Sequence, residues 1–170
     1  MKPNLTFFAE TFRTLFGDFS VAVNKTGAVT GTAFGDRAAL LRRLPACELA
    51  EDRALTRAAR EQLLAYFAGD RRDFDLPLAP AGTAFQQNVW TTLLAIPRGE
   101  TRTYGQLAAQ LGNPAASRAV GRANATNPVC VIIPCHRVVG ADGTLTGFAF
   151  GEKLKRRLLE LERVPAFRAA

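Results

Sequence analysis

Short apolar segments alternate with turn-forming residues near the start of the chain. Residues 19–23 (FSVAV) and 28–33 (AVTGTA) are rich in residues that strands favour, and the sequence NKTG at 24–27 connects them. This pattern predicts a β-hairpin whose turn permits a positive φ at Gly27.

Helical spacing of apolar residues replaces this pattern after the hairpin. Asp36 can cap a helix that reaches Leu44, and a longer helix is predicted over residues 52–67. The apolar face of the longer helix is formed by Leu55, Ala59, Leu63 and Phe67. The segment 76–82 (LPLAPAG) then interrupts the pattern. We therefore predict an N-terminal α/β domain over residues 1–80 and a second domain over residues 81–170.

Two capping-box sequences mark helices in the second domain, TAFQ at 83–86 and TYGQ at 103–106. The first of these helices has apolar residues at Phe85, Val89 and Leu93. The sequence GNP at 112–114 ends the second helix, and we expect Asn113 to cap the next one, with the proline at its first position. That third helix is predicted over residues 115–124.

The second and third helices, joined by a tight turn, have the layout of a helix-turn-helix. Arg118 and Arg122 lie one turn apart on the third helix, where the other exposed residues are small. Such a helix can approach DNA closely. Two packed helices with solvated arginines would give the same pattern, so both interpretations stay open at this point.

The composition is that of a globular protein, with 48% of the 170 residues apolar. No run approaches the roughly 18 apolar residues of a membrane span, and residues 1–6 (MKPNLT) lack the apolar core of a signal peptide. We therefore expect a cytoplasmic protein without a membrane partner. Three scattered cysteines and one histidine do not fit a disulfide framework or a tetrahedral zinc site, so no metal is expected. We also expect no cofactor.

Positive charge is concentrated in the second half of the chain. Residues 1–80 contain 11 Lys and Arg against 10 Asp and Glu, whereas residues 81–170 contain 11 against 5. This asymmetry suits a polyanion such as DNA, because cationic side chains release the counterions condensed on phosphates. A basic surface that serves only solubility is the alternative.

The sequence Pro134-Cys135-His136-Arg137 follows the apolar run 129–133 (VCVII), which predicts a short buried strand. A thiol reacts as its thiolate, and here a base and a positive charge stand within two residues of the cysteine. We interpret Cys135 as a nucleophile. The tetrapeptide alone would fit a small buried cysteine equally well.

A glycine-bracketed loop and a basic helix complete the chain. The loop GFAFG at 147–151 carries two aromatic residues that could form the wall of a pocket for a flat ring. Residues 152–163 predict a helix with Leu154, Leu158 and Leu161 inward and with many lysines and arginines outward.

These motifs, in this order and spacing, resemble those of the O6-alkylguanine-DNA alkyltransferases. They are YGQLA at 104–108, GNP at 112–114, RAVG at 118–121, NP at 127–128 and IPCHRVV at 133–139. The resemblance is strong from about residue 83 to residue 162 and looser before it. It implies an α+β protein with a small ribonuclease-H-like N-terminal domain. Its helical C-terminal domain would contain the helix-turn-helix and a short buried active-site strand.

The function implied by the resemblance is DNA repair by a single-use protein. Such a protein binds double-stranded DNA as a monomer, flips an O6-alkylguanine out of the stack and moves the alkyl group to Cys135. His136 resembles the family's base, which deprotonates the thiol through a water, and Glu162 resembles the residue that orients the imidazole. Glu160 is a rival for this acidic role. Asn127 resembles the asparagine that ties the recognition helix to the active-site strand.

The DNA-contacting and pocket residues also carry over by position. Arg118 resembles the arginine that fills the space of the flipped nucleotide, and Tyr104 resembles the tyrosine that helps to rotate the 3′ phosphate. Arg122 and Asn113 are expected on the DNA-binding surface. The base pocket is expected to involve backbone groups of Cys135, Val138 and Ala149 and the rings of Phe148 and Phe150.

Two residues depart from the family's pattern. Phe148 stands where many members have a tyrosine, so a phenol that could donate to the departing guanine oxygen is missing. Phe150 stands where relatives often have a glycine, and we expect poor acceptance of benzyl-sized adducts.

Three other functions compete with this interpretation. One is a lesion-binding protein that does not transfer the alkyl group, and another is a helix-turn-helix regulator in which Cys135 is a sensor thiol. The third is a cysteine hydrolase. It is disfavoured because neighbours in an extended strand, such as Cys135 and His136, point to opposite sides.

Overall fold

The computed structural model describes residues 5–168. Residues 1–4, which belong to the N-terminal stretch without a signal-peptide pattern, lie outside this range, as do residues 169–170. The chain divides into two units, residues 1–81 and residues 82–170. Among the described residues, no helix has the length and apolar character needed to cross a membrane.

The first unit is a four-stranded sheet with two helices. Its strands are β1 (Leu5–Thr14), β2 (Gly17–Val23), β3 (Val29–Phe34) and β4 (Cys47–Ala50), in the order β3-β2-β1-β4. The β1–β2 and β2–β3 pairs are antiparallel, whereas β4 pairs in parallel with β1. The helices α1 (Arg37–Leu41) and α2 (Arg53–Phe67) begin after the caps Asp36 and Asp52, as predicted.

The predicted hairpin is confirmed as β2 and β3. Gly27 has φ +81°, and the Asn24 side chain accepts hydrogen bonds from the turn's backbone. In the core, Phe19 of β2 meets Phe34 and Phe67 edge to face, at 4.9 and 5.0 Å between ring centroids. These aromatic contacts join the sheet to α2.

The second unit is mainly helical. It contains α3 (Ala84–Leu94), α4 (Tyr104–Gln110), α5 (Ser117–Ala125) and α6 (Glu152–Leu161), with a parallel pair of two-residue strands, β5 (Arg102–Thr103) and β6 (Val138–Val139). Both capping boxes are confirmed, because each threonine accepts from the glutamine N–H and each glutamine side chain bonds back to the cap. α5 packs against α3 and α4.

The third predicted helix begins later than expected. Pro114–Ala116 forms a 3₁₀ turn, α5 begins at Ser117, and the Asn113 side chain makes no capping hydrogen bond. A proline in first position fits a 3₁₀ turn as well as an α-helix, so the sequence did not separate the two. Of the three apolar residues at helical spacing in α3, Val89 and Leu93 are buried, whereas Phe85 is 41% exposed; Trp90 is also buried.

The predicted strand over residues 129–133 was wrong. The run is buried, but Val131 has φ +75° and the Ile133 N–H donates to the Val129 carbonyl, so the backbone turns. A continuous apolar run indicates burial without specifying backbone conformation. Cys135–Arg137 then forms a 3₁₀ turn, which leads into β6. The argument against a hydrolase from alternation along a strand therefore does not apply.

Candidate active site

Cys135 is the first residue of the 3₁₀ turn and is 3% exposed. Its N–H donates to the Ile133 carbonyl at 2.8 Å, and its own carbonyl accepts a hydrogen bond from Asn124 Nδ2 at 3.2 Å. These bonds fix the backbone around the thiol. A nucleophile in this position can react only with a group that enters the protein interior.

His136 and Glu162 form a buried pair next to the cysteine in the chain. His136 Nε2 lies 2.9 Å from Glu162 Oε1, and both side chains are fully buried. Burial lowers the pKa of His136 below its ordinary value, although the carboxylate opposes this shift. Burial would raise the pKa of Glu162, but the hydrogen bonds and charges of His136 and Arg137 hold it well below its ordinary value. We therefore assign a neutral imidazole that donates its Nε2–H to an ionised carboxylate.

This tautomer leaves His136 Nδ1 with a free lone pair. Nδ1 is buried and, within residues 5–168, has no hydrogen-bond partner. Buried polar atoms normally have partners, so an unpaired ring nitrogen here points to a functional role. The geometry provides a proton acceptor whose opposite nitrogen is already committed to Glu162.

Arg137 binds the same carboxylate as His136. Its Nε donates to Glu162 Oε2 and its Nη2 donates to Glu162 Oε1, both at 2.9 Å, while Nη1 donates to the Ile96 carbonyl. A bidentate guanidinium fixes both the position and the charge of a carboxylate. The sequence suggested Arg137 as a positive charge for the thiol, whereas the structure pairs it with Glu162.

The structure distinguishes the two glutamates at the end of α6. Glu162 is buried against His136, whereas Glu160 is partly exposed. The buried face of α6 consists of Lys155, Leu158, Leu159 and Glu162. These four residues have the i, i+3, i+4, i+7 spacing of one helical face, which is the sequence signal that separates Glu162 from Glu160.

Asn127 joins the end of α5 to the buried turn before the cysteine. Its Nδ2 donates to the Ile133 carbonyl at 2.9 Å, and its Oδ1 accepts from the Val129 N–H at 3.0 Å. One side chain thereby closes the turn over residues 129–133. Asn124, which the sequence analysis missed, makes the corresponding contact to the Cys135 carbonyl from within α5.

Two side chains converge on the carbonyl of Thr146. Tyr104 Oη donates to it at 2.8 Å and Lys155 Nζ at 3.1 Å. Lys155 is fully buried and is thus an exception to the outward-facing lysines and arginines of the last helix. Burial lowers the pKa of Lys155 to about 8, while the charges of Cys135 and Glu152 act to raise it. Burial and the charge of Cys135 raise the pKa of Tyr104.

A cavity of about 490 Å³ lies between α4, α5 and the loop that follows β6. It is lined by Tyr104, Ser117, Arg118, Gly121, Arg122, Ala125, Thr146 and Gly147. Arg118 and Arg122 are exposed, and they share this cavity with Tyr104. Asn113 is exposed on the turn before α5 and is not part of the lining.

The two aromatic residues of the loop GFAFG pack on each other. The Phe148 and Phe150 rings meet edge to face, with their centroids 5.8 Å apart. Phe148 and Val138 are buried, Phe150 is partly buried and Ala149 is exposed. The two rings thus form a packed aromatic pair within the loop.

Metal-ligating side chains are dispersed in this structure. Within the described residues, no group of three His, Cys, Asp or Glu side chains lies close enough together to hold a metal ion.

Comparisons with known proteins give a consistent result. The family model described as "6-O-methylguanine DNA methyltransferase, DNA binding domain" matches residues 84–164. The methylated-DNA–protein-cysteine methyltransferase of Methanosarcina acetivorans is 57% identical over 112 residues, which are 66% of this chain and 72% of that protein. The protein of the same name from Mycobacterium tuberculosis H37Rv is 58% identical over 110 residues, 64% of this chain and 67% of that one. The crystal structure of M. tuberculosis OGT in complex with DNA matches with a TM-score of 0.82 and 42% identity, over 92% of each chain.

Proposed function

The chain belongs to the O6-methylguanine-DNA methyltransferase family, and on that premise we propose that it repairs double-stranded DNA by moving the alkyl group of an O6-alkylguanine to the sulfur of Cys135. One observation carries this proposal. Cys135 is followed in the chain by His136, whose Nε2 is hydrogen-bonded to Glu162 and whose buried Nδ1 has no hydrogen-bond partner among residues 5–168.

His136 acts as the base in this proposal. The thiol proton passes through a bridging water to Nδ1, and the ionised Glu162 stabilises the imidazolium that results. The thiolate attacks the alkyl carbon, so that a carbon–sulfur bond forms while the carbon–oxygen bond breaks. The electron pair of the broken bond goes to the guanine oxygen, and the departing nucleobase takes up one proton to become guanine.

Each molecule acts once. The product at Cys135 is a thioether, and a thioether does not hydrolyse under physiological conditions. One adduct removed per protein molecule is therefore the expected stoichiometry.

The burial of Cys135 supports base flipping. An alkyl carbon within a base-paired stack cannot reach a thiol that is 3% exposed, so the nucleotide must leave the duplex. Arg118 would enter the stack and fill the vacated space, because a planar cation can both stack and donate hydrogen bonds. Tyr104 would contact the 3′ phosphate as the nucleotide rotates.

We assign DNA binding to α4 and α5 as a helix-turn-helix that docks in the minor groove, with α5 as the recognition helix. The packing of α5 on α4 and the exposure of both its arginines support this assignment. Arg122 and Asn113 would contact phosphates, which position the protein without selecting a sequence.

The flipped guanine would stack against Phe148, and backbone groups of Cys135, Val138 and Ala149 would recognise its edges. Asn127 would keep the turn before the cysteine in place for this step. We further propose that residues 1–80 form a ribonuclease-H-like domain, that residues 81–170 bind DNA and accept the alkyl group, and that the protein is a monomer.

A lesion-binding protein without transfer is the second candidate. It is favoured by Phe148, because this position lacks the hydroxyl that could donate to the departing oxygen. Cys135 favours transfer, since a protein that only binds lesions needs no acceptor thiol.

The deciding experiment uses a duplex with a single O6-methylguanine. We expect peptide mass spectrometry to find one methyl group on the fragment that contains Cys135, and none in Cys135→Ser. Tight lesion binding with an unmodified Cys135 would instead establish a recognition protein. Steady turnover of esters or peptides would establish a hydrolase, and a defined operator sequence would establish a regulator.

A further inference from the structure

Tyr104 lies next to Gly121 and the Thr146 carbonyl. Its hydroxyl donates to the Thr146 carbonyl at 2.8 Å, and a Cβ added at Gly121 of α5 would lie 3.7 Å from its ring. Lys155, which is fully buried, donates to the same carbonyl at 3.1 Å and so fixes the acceptor from α6. Tyr104 thus adjoins α5 at Gly121, and its hydroxyl is bonded to the loop at Thr146.

Gly147 provides the space that this arrangement needs. A Cβ at Gly147 would stand 2.5 Å from Tyr104 Oη and 3.4 Å from its Cζ. The first distance is too short for any contact between a carbon and an oxygen, so a side chain here would push the hydroxyl away from the Thr146 carbonyl. Because the hydroxyl would lose its bond to Thr146, the displacement would shift the tyrosine from its present position.

Backbone conformation alone does not account for this glycine. Gly147 has φ +80°, which favours glycine in any turn. Gly143, in the preceding turn, has φ +81° but would meet nothing within 4 Å of an added Cβ. The two glycines make the same demand on the backbone, and they differ in that Gly147 lies against Tyr104.

We propose that Gly147 is a positioning residue for alkyl transfer, because the absence of a side chain there lets Tyr104 hold its place in the cavity that receives the DNA. This inference rests on the function proposed above and deepens it. Tyr104 lines that cavity together with Arg118, Gly121 and Gly147. The hydroxyl remains a hydrogen-bond donor at neutral pH, since burial raises the pKa of Tyr104.

The test compares two single variants, Gly147→Ala and Gly143→Ala. Gly147→Ala is also combined with Tyr104→Phe. Transfer from an O6-methylguanine duplex is measured as a single-turnover rate constant. The position of Tyr104 is followed by NMR after tyrosine-selective isotope labelling. The chain has two tyrosines, Tyr66 and Tyr104, and the signal that disappears in Tyr104→Phe belongs to Tyr104.

We expect Gly147→Ala to slow transfer about tenfold and to shift the Tyr104 signal while Tyr66 stays in place. Gly143→Ala should change neither quantity. In the Tyr104→Phe background, Gly147→Ala should add little further loss, since the two changes act on the same hydroxyl. Both glycine substitutions should lower the thermal midpoint because alanine is strained at a positive φ, and Tyr104→Phe should reduce only the additional loss in Gly147→Ala, since it removes the oxygen that the new Cβ meets.

Equal effects of the two glycine substitutions on both rate and spectrum would overturn the inference. Losses from Gly147→Ala and Tyr104→Phe that multiply fully would do so as well. Failure of the proposed function gives a different result, namely no methyl transfer by the wild-type protein. In that case the Tyr104 signal of Gly147→Ala still decides whether Gly147 positions the tyrosine.

Discussion

The Glu162 carboxylate accepts a hydrogen bond from His136 Nε2 at 2.9 Å while the guanidinium of Arg137 binds both of its oxygens. Two residues that are adjacent in the chain thus reach one carboxylate. A strand would have sent their side chains to opposite sides, whereas a 3₁₀ turn separates neighbours by about a third of a turn. The backbone conformation that the sequence did not predict is the one that permits this cluster.

Glu162→Gln should slow alkyl transfer by tenfold or more. The amide can still accept from His136 but cannot stabilise the imidazolium as an anion does. The substitution should also lower the free energy of unfolding by about 3 kcal/mol, because it leaves Arg137 buried without an ionised partner. Single-turnover kinetics and urea unfolding measure the two effects. Glu160→Gln is the matched control, and a comparable loss in that variant would contradict the assignment of Glu162.

The contribution of Glu162 to the stability of the fold should decrease as the pH is lowered. Its pKa lies below the ordinary value of 4.5, so the folded protein holds this proton less tightly than the unfolded chain does. The contribution is fully present above pH 4.5 and is lost as the pH falls through the lower folded pKa. The difference in stability between wild type and Glu162→Gln should therefore shrink on acidification.

Lys155→Met should stabilise the fold at pH 7 and impair transfer. Burial lowers the pKa of Lys155 from 10.5 to about 8, and a shift of that size corresponds to roughly 3 kcal/mol. The lost hydrogen bond to Thr146 offsets about 1 kcal/mol of the gain. Transfer should slow because the charges of Lys155 and Cys135 interact, so removing the cation destabilises the thiolate.

The free energy of unfolding of wild type and Lys155→Met, measured at pH 7 and pH 10, tests the predicted gain in stability. Between pH 8 and 10.5 the unfolded chain keeps a proton that folded Lys155 has released, so wild-type stability rises with pH. The advantage of Lys155→Met should fade over the same interval. A variant that is less stable than wild type at pH 7 would show that Lys155 supports the fold instead.

Arg118→Ala should slow repair in duplex DNA far more than reaction with the free base O6-methylguanine. Its side chain is exposed on the cavity wall, and the free base has no stack to enter. Rate constants on the two substrates measure this ratio. Arg57→Ala, an exposed arginine of the first unit, controls for loss of positive charge. Equal losses of Arg118→Ala on both substrates would argue against an intercalating role.

Phe150→Gly should improve the reaction with O6-benzylguanine. Phe150 packs on Phe148 with 5.8 Å between centroids, and we expect this pair to limit the room for a second aromatic ring. The wild type should react slowly with the benzyl compound, and the variant several-fold faster, while methyl transfer changes little. Efficient reaction of the wild-type protein would show that Phe150 does not restrict the pocket.

The elements that the sequence predicted correctly are those with local causes. The caps at Asp36, Asp52, Thr83 and Thr103 and the turn at Gly27 depend on residues within four positions of one another. Such contacts join residues that are close in the sequence, so they can be predicted without knowledge of the fold. The predicted strand at 129–133 failed because its turn depends on Asn127, whose side chain bonds to backbone groups of the buried run.

By itself the sequence determined the family, the local helices and the hairpin, and it singled out Cys135, His136 and Glu162 as candidates. The tertiary structure decided that Arg137 binds Glu162, that Lys155 is buried, and that Gly147 lies against Tyr104. These contacts join residues 9 to 43 positions apart: Thr146 lies 9 positions before Lys155, and Gly147 lies 43 after Tyr104. The partner of a charged side chain and the room beside a glycine depend on which distant segment packs against them. Only the tertiary structure shows which segment that is.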